Sequence, residues 1–319
     1  MNAPADRGLL LVKSGGAAAL PQWQSLFAEL VPGLEVRAWD DPAVDPDTVT
    51  YVLVWEPEPG RLARYPHLRV IFSSAAGVDH ITRDPNLPRG VPIVRMATEE
   101  TAQTMGEYVC LAALSILRDG NRLAAAQAAR RWDSFEQPYT ALDKRVGVLG
   151  LGNIGQVAAR MLRGLGFTVS GWARTPRELH GVEVHSGESG LDSLLAKSDI
   201  LVGLLPETPQ TRGLIDRHRI DQLPRGAGIV NAGRGSLIVM PDLIAALDDG
   251  QLGAAFLDVF ESEPLPADHA AWRHPRITVT SHVAGFASRR SRARSVAQAL
   301  AAHESGAPLP NLYRAERGY

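Results

Sequence analysis

Charged and titratable side chains follow apolar runs in the second half of the chain, at the points where strands are predicted to end. Arg234 comes shortly after one run, Asp258 closes another, and His282 follows a third. Ligands of open parallel α/β sheets bind outside the carboxyl ends of the strands, so we expect these side chains to share one crevice. An arginine can hold a carboxylate bidentately and polarise a carbonyl, and a histidine can donate a proton near neutral pH. Such a set suits hydride transfer to a 2-keto acid.

A glycine-rich segment at 145–155 predicts where the hydride donor binds. The apolar run 146–149 leads into glycines at 150, 152 and 155, and helix-forming residues follow at once. A strand, a tight turn and a helix N-terminus in this order form a dinucleotide-binding fingerprint, in which helix amides hold the pyrophosphate. A glycine-rich turn without a ligand is the alternative. The cofactor contacts predicted here are Gly150, Gly152, Asn153, Ile154 and Gly155.

Apolar runs alternate with helical patterns along most of the chain, which predicts parallel α/β sheets. Before the glycines, helices are expected at 21–30 and 100–117, and strands at 9–12, 51–55 and 69–72. From the glycines onward, strands are expected at 146–149, 168–172, 200–205, 228–231, 253–258 and 277–281. We therefore expect two Rossmann- or flavodoxin-like doubly wound parallel-sheet domains with an active-site cleft between them.

The position of the fingerprint in the middle of the chain requires a domain before it. Residues 1–97 plus 289–319 are predicted to form a flavodoxin-like, substrate-binding domain, because the helical segment 288–303 is expected to return to the first domain. Residues 98–288 are predicted to form the dinucleotide-binding Rossmann domain. This domain includes an arm at about 118–140.

Composition indicates an ordinary soluble protein. The chain has 319 residues, 45% of them hydrophobic and 21% charged, and a formal net charge of −2. That charge gives no electrostatic reason to expect nucleic acid or an anionic membrane as partner. The single cysteine, Cys110, cannot form an intrachain disulfide, and no apolar stretch is long enough to span a bilayer. A cytoplasmic protein without a metal site is expected.

The chain resembles the D-isomer-specific 2-hydroxyacid dehydrogenases over nearly its whole length. The fingerprint carries this resemblance together with the blocks at 205–215, 231–236, 258–266 and 282–285. The resemblance implies that Arg234 binds substrate, that Glu263 orients the acid and that His282 donates the proton. Each residue alone would more often be structural, and the combination favours catalysis.

Two details are similar to the glyoxylate/hydroxypyruvate reductase A branch of that family. Arg234 and His282 are only 48 residues apart, and the chain ends in the segment 313–319. The family blocks also imply cofactor contacts at the strand ends, by Leu204, Leu205, Pro206 and Ala232. Asp258 resembles the aspartate on the nicotinamide side of the cofactor, although a cap or turn role stays open.

The substrate side of the site is expected to include a small-residue loop of the first domain. The resemblance implies that Ala76 and Gly77 offer backbone amides to the substrate carboxylate, with a plain tight turn as the alternative. Trp55 ends a strand that faces the same cleft in this branch, and Trp132 lies on the arm. Both aromatic side chains are candidates for the pocket wall, although packing alone would also explain them.

The cofactor is predicted to be NADP(H), with NAD(H) possible. NAD-specific sites place an acid at the end of the second strand, roughly 20 residues beyond the glycines, to bind the ribose 2′-hydroxyl. Here Ala173 takes that position, and Arg174, Thr175 and Arg177 follow it. These side chains suit a 2′-phosphate. Chance surface arginines are the alternative.

The function predicted from the sequence is therefore NADPH-dependent reduction of small 2-keto acids, glyoxylate and hydroxypyruvate first. One alternative is an NAD-dependent dehydrogenase of larger D-2-hydroxy acids. The other is a dinucleotide-sensing, corepressor-like binding protein, which the intact arginine, glutamate and histidine set disfavours. A homodimer is expected, because the arm carries apolar side chains and family members use this region between subunits.

Overall fold

The computed structural model describes residues 7–316 and Gly318, so Arg317 and Tyr319 of the closing segment lie outside the described residues. The chain divides into two compact units, residues 1–100 with 287–319, and residues 101–286. Both units are built on a parallel sheet, so the predicted fold class of two α/β domains is confirmed.

The first unit contains a five-stranded parallel sheet in the order β2-β1-β3-β4-β5. Its strands are β1 Leu9–Lys13, β2 Glu35–Ala38, β3 Val49–Val54, β4 Val70–Ser73 and β5 Ile93–Val94. Its helices are α1 Leu20–Leu30, α2 Asp79–Thr82 and α9 Arg289–Glu304, with 3₁₀ turns at Ala17–Ala19, Pro46–Thr48 and Leu62–Arg64. This order is flavodoxin-like, and its direction reverses between β1 and β3.

The core of the first unit lies on both faces of this sheet, because its strands are apolar on both sides. On one face, Leu10 and Phe72 pack with Trp23 and Phe27 of α1 and with Leu300 of α9. The other face is covered by a second cluster that includes Leu62 and Ile81. The returning helix α9 thus supplies part of the core that holds β1 and β3 in place.

The second unit contains a seven-stranded parallel sheet in the order β12-β11-β10-β9-β6-β7-β8. Its strands are β6 Arg145–Leu149, β7 Thr168–Trp172, β8 Glu183–His185, β9 Ile200–Gly203, β10 Ala227–Asn231, β11 Leu252–Leu257 and β12 Ile277–Val279. Its direction reverses between β6 and β9, as in a doubly wound dinucleotide-binding sheet.

The helices of the second unit are α4 Gly120–Ala128, α5 Asn153–Gly164, α6 Gly187–Leu195, α7 Arg217–Asp221 and α8 Met240–Asp248, and α3 Glu99–Leu117 begins at the division between the units. Residues of α3 and α5 pack on one face of the sheet, and residues of α6, α7 and α8 pack on the other. Short 3₁₀ turns lie at Ala141–Asp143, Gly235–Leu237 and Ala270–Trp272. No helix in the described part of the chain is long and apolar enough to cross a membrane.

Candidate active site

The turn between β6 and α5 has the geometry that a dinucleotide requires. Gly150 has a φ of 99°, which favours glycine, and a Cβ on Gly155 would overlap the carbonyl oxygen of Gly150. A Cβ on Gly152 would meet nothing within 4 Å, so this side of the turn is open. Gly152 is also the N-cap of α5 and gives the first helical amides no side-chain acceptor. The turn therefore fits a pyrophosphate bound by these amides.

The loop after β7 lies next to this glycine turn. Ala173 is buried and its amide donates to the carbonyl of His185 at 3.0 Å, while Arg174, Thr175 and Arg177 are exposed. Arg177 Nη1 donates to the carbonyl of Leu151 at 2.7 Å. The guanidinium of Arg177 thus reaches the glycine turn and helps to hold it. No acid stands at the Ala173 position.

The end of β9 forms the other wall of the turn. The amide of Leu204 donates to the carbonyl of Leu149 at 2.9 Å, which ties β9 to the end of β6. The carbonyl of Pro206 accepts a hydrogen bond from the Thr211 hydroxyl at 2.7 Å, and Leu205 is buried. The amide of Ala232, just past β10, donates to the carbonyl of Gly203 at 3.1 Å. The predicted cofactor residues of these strand ends therefore lie next to one another.

Arg234 lies on a loop whose backbone has little freedom. A Cβ on Gly235 would overlap the backbone of Phe260, and one on Gly233 would lie 2.8 Å from the carbonyl oxygen of Leu205. Asn231 spans the loop, because its Nδ2 donates to the carbonyl of Arg234 at 2.9 Å and its Oδ1 accepts from the amide of Gly233 at 3.2 Å. The half-buried guanidinium of Arg234 is thus carried by a loop fixed on both sides.

Asp258 holds the turn that carries His282. Its carboxylate is 1% exposed and accepts hydrogen bonds from the Thr280 hydroxyl at 2.6 Å and from the amides of Val283 and Ala284, each at 2.9 Å. Its carbonyl oxygen accepts the amide of His282 at 2.9 Å. The turn role that the sequence left open for Asp258 is therefore present, and contact with the cofactor stays a prediction.

Tyr108 of α3 extends this network. Its hydroxyl lies 2.6 Å from Thr280 Oγ1. Because Thr280 donates to Asp258, Tyr108 is the donor in this contact. Burial raises the pKa of Tyr108, and so keeps its hydroxyl protonated for that role. Sequence reasoning missed Tyr108, Thr280 and Asn231 as positioning residues, since only their partners in the fold reveal them.

His282 and Glu263 form a hydrogen-bonded pair. His282 Nδ1 lies 2.7 Å from Glu263 Oε2, and Glu263 Oε1 accepts the amide of Phe260 at 2.8 Å. The side chains are 40% and 34% exposed, so the pair is open to solvent on one side. With Nδ1 occupied by a carboxylate, Nε2 is the ring nitrogen left for a reacting group.

The backbone of His282 is held in an uncommon conformation. Its φ of 55° lies in the left-handed region, which costs a non-glycine residue about 1 kcal/mol or more. The hydrogen bonds from residues 282–284 to Asp258 maintain this conformation. Strain of this kind is often found where a side chain must be aimed at a reacting group.

The remaining predicted residues lie in the first unit. Trp55 is partly exposed and its ring lies 4.3 Å from that of the buried His80. In the loop after β4, the Ser73 hydroxyl lies 3.0 Å from the carbonyl of Gly77 and accepts the amide of Ala75 at 3.1 Å. The amides of Ala76 and Gly77 donate to no acceptor within the part of the chain that the structure describes. This loop therefore presents two amides that could donate hydrogen bonds to a carboxylate.

Comparison with known proteins places these features in a family. The family model for the NAD binding domain of D-isomer specific 2-hydroxyacid dehydrogenases matches residues 110–284. A glyoxylate/hydroxypyruvate reductase A of Yersinia enterocolitica is 36% identical over 303 residues, which cover 93% of this chain and 96% of that protein.

Solved structures agree with this assignment. A D-isomer specific 2-hydroxyacid dehydrogenase of Xanthobacter autotrophicus, solved with NADPH and MES, is 39% identical with a TM-score of 0.92, over 98% of this chain and 99% of that one. An NADPH-dependent glyoxylate/hydroxypyruvate reductase of Sinorhizobium meliloti, solved with NADP and sulfate, is 38% identical with a TM-score of 0.90, over 98% of this chain and 100% of that one. The chain described here therefore belongs to the D-isomer specific 2-hydroxyacid dehydrogenase family.

Proposed function

We propose that this protein is an NADPH-dependent reductase of small 2-keto acids, with glyoxylate and hydroxypyruvate as its first substrates. The observation that carries the proposal is the His282–Glu263 pair, whose members follow β12 and β11 of the same sheet that positions Arg234 and the glycine turn. Relatives named glyoxylate/hydroxypyruvate reductase and a solved relative with bound NADPH support the choice of substrate and cofactor. We assign substrate binding to the first unit and cofactor binding to the second.

The reaction needs a hydride, a proton and a fixed substrate. A bound NADPH would supply the hydride that reaches the keto carbon. Arg234 holds the substrate carboxylate through its planar fork and polarises the neighbouring carbonyl. In the first unit, the amides of Ala76 and Gly77 donate to no acceptor within the described part of the chain, and we assign them as donors to a substrate carboxylate. Trp55 limits the size of the substrate side chain.

His282 supplies the proton. Glu263 accepts a hydrogen bond from Nδ1–H of the ring and fixes its orientation, so that Nε2 carries the proton that is given to the carbonyl oxygen. The protonated oxygen stays on the substrate as the hydroxyl of the product, and His282 regains its proton from solvent, to which it is partly exposed. Asp258, Thr280 and Tyr108 act as positioning residues, because they hold the turn rather than the substrate.

Cofactor preference follows from the loop after β7. NADPH should be preferred over NADH by roughly ten- to a hundred-fold, since each charge-assisted contact to the 2′-phosphate is worth about 1.5 to 3 kcal/mol before solvent screening. The double variant Ala173→Asp with Arg174→Ser should reverse the preference, because a carboxylate there repels phosphate and accepts the 2′-hydroxyl. Steady-state kinetics with glyoxylate and each cofactor measure this.

Two controls sharpen that test. Arg160→Ser removes one exposed positive charge from α5 and should leave the preference unchanged. The preference for NADPH should shrink as salt is added, while NADH kinetics change little. Equal use of both cofactors by the unmodified protein at low ionic strength would mean that Arg174 and Arg177 are ordinary surface charges.

Assembly into a two-fold dimer is proposed from the arm at 118–140. Trp132 is 97% exposed, and Leu123 and Tyr139 are also exposed, so the arm presents apolar surface to its surroundings. Phe135 is partly covered by the guanidinium of Arg122 at 3.9 Å. Sedimentation should give a dimer at micromolar concentration, and Trp132→Ser should weaken it. A monomeric wild-type protein would remove this proposal.

A further inference from the structure

Two arginines at the start of α9 lie against the loop that follows β1, within the first unit. Arg292 Nη1 lies 3.3 Å from the hydroxyl oxygen of Ser14. Arg289 lies over Gly15, with its Nη2 3.0 Å from the position that a Cβ of Gly15 would occupy. Two positive charges therefore meet one short, glycine-containing loop.

Neither guanidinium has an acidic partner within 4.0 Å in the described part of the chain. Arg289 donates to Gln22 Oε1 at 2.6 Å, and Arg292 Nε is buried and, among the described residues, has no hydrogen-bond partner. Burial and then the charge of Arg289 lower the pKa of Arg292, and Glu100 opposes this effect. By contrast, Arg290 binds Glu29 through bonds of 2.8 and 3.0 Å.

The loop adds backbone donors to these charges. The residues Gly15, Gly16, Ala17 and Ala18 are exposed, and their amides donate to no acceptor among the residues that the structure describes. Successive unpaired amides of this kind bind anions. The loop also follows β1 where the strand order reverses next to β3, which is where doubly wound sheets bind ligands.

We propose that Arg289, Arg292 and the loop 14–18 form a binding site for an oxyanion, a phosphate or carboxylate group. The site lies at the same sheet edge as Trp55, because the amide of Trp55 donates to the carbonyl of Lys13 at 2.9 Å. The anion has two possible sources: free phosphate, or the second acid group of a dianionic 2-keto acid. Only the second source rests on the proposed function.

Titration calorimetry of the full chain with inorganic phosphate tests the site. The wild-type protein should bind phosphate at millimolar concentration, and Arg289→Gln should weaken that binding about tenfold or more through loss of a charge-assisted contact. Arg290→Gln removes the same charge from the same helical turn and should leave binding unchanged. Phosphate can also bind at the glycine turn. Binding at the proposed site is therefore measured as the part of the phosphate binding that Arg289→Gln removes.

The proposal is overturned if no Arg289-dependent binding is seen, or if Arg290→Gln weakens binding equally. Thermal melting checks each fold, and Arg292→Gln replaces Arg289→Gln if the latter does not fold. Oxaloacetate and pyruvate then identify the source of the anion. If oxaloacetate has a higher kcat/KM than pyruvate and Arg289→Gln abolishes this difference, the anion is the second acid group of the substrate. If Arg289-dependent phosphate binding is seen without this difference, the anion is free phosphate. Glyoxylate reduction by the wild-type protein tests the proposed function separately.

Discussion

Replacement of His282 by alanine is expected to lower kcat by a factor on the order of 10² to 10⁴, the usual contribution of a general acid. Glu263 fixes the ring of His282 through Nδ1, and Asp258 fixes its backbone. Together the two acids set the direction in which Nε2 of His282 points. Loss of the ring removes the proton donor and leaves the glycine turn intact. Steady-state kinetics with glyoxylate and fluorescence titration with NADPH separate the two effects.

A matched control for this variant is available in the same unit. His218 lies on the short helix α7 and is exposed, so His218→Ala should leave both turnover and NADPH binding unchanged. Near-normal turnover by His282→Ala would refute the role of this residue as the acid. A loss of NADPH binding would instead mean that the turn at 280–284 had collapsed.

Replacement of Arg234 is expected to act mainly on the substrate. Two charge-assisted hydrogen bonds at about 1.5 to 3 kcal/mol each correspond to a loss in kcat/KM of roughly 10² to 10⁴ for Arg234→Ala. Arg234→Lys should not restore activity, because a point charge cannot reproduce the bidentate fork. The loop itself should survive, since Asn231 and the flanking glycines hold its backbone.

The readout for Arg234 is the KM for glyoxylate and the Kd for NADPH. KM should rise while the Kd stays near its wild-type value. Arg273→Ala, which removes an exposed arginine of the same unit, serves as the control. If Arg234→Lys turned over glyoxylate as well as the wild-type protein does, a fork would not be needed and the carboxylate would be held elsewhere.

The parts of the fold with strong local patterns could be predicted from the sequence. The apolar run before Gly150 predicts β6, and the helix-forming residues after Gly155 predict α5. The hydrophobic pattern, the glycine spacing and the helix-forming residues all indicate the same structure over this short stretch. Strands β2, β5 and β8 were not predicted. They have two to four residues. Charged residues interrupt β2, and β8, Glu183–His185, has no buried side chain, so no apolar run marks either strand, while β5 has only two residues.

The candidate site could be predicted only in part, for a physical reason. Arg234, Glu263 and His282 belong to motif blocks, so their types and spacing are visible in the chain. Tyr108 lies 172 residues from Thr280, and no local pattern links them. Their contact depends on where α3 packs, and this is a property of the fold alone.

The central claim is that this protein reduces small 2-keto acids with NADPH, and one steady-state panel tests it most directly. Glyoxylate, hydroxypyruvate, pyruvate and phenylpyruvate are each measured with NADPH and with NADH. We expect the highest kcat/KM for glyoxylate and hydroxypyruvate with NADPH, and little turnover of phenylpyruvate. Preferred turnover of phenylpyruvate with NADH, or no turnover of any of the four, would contradict the account.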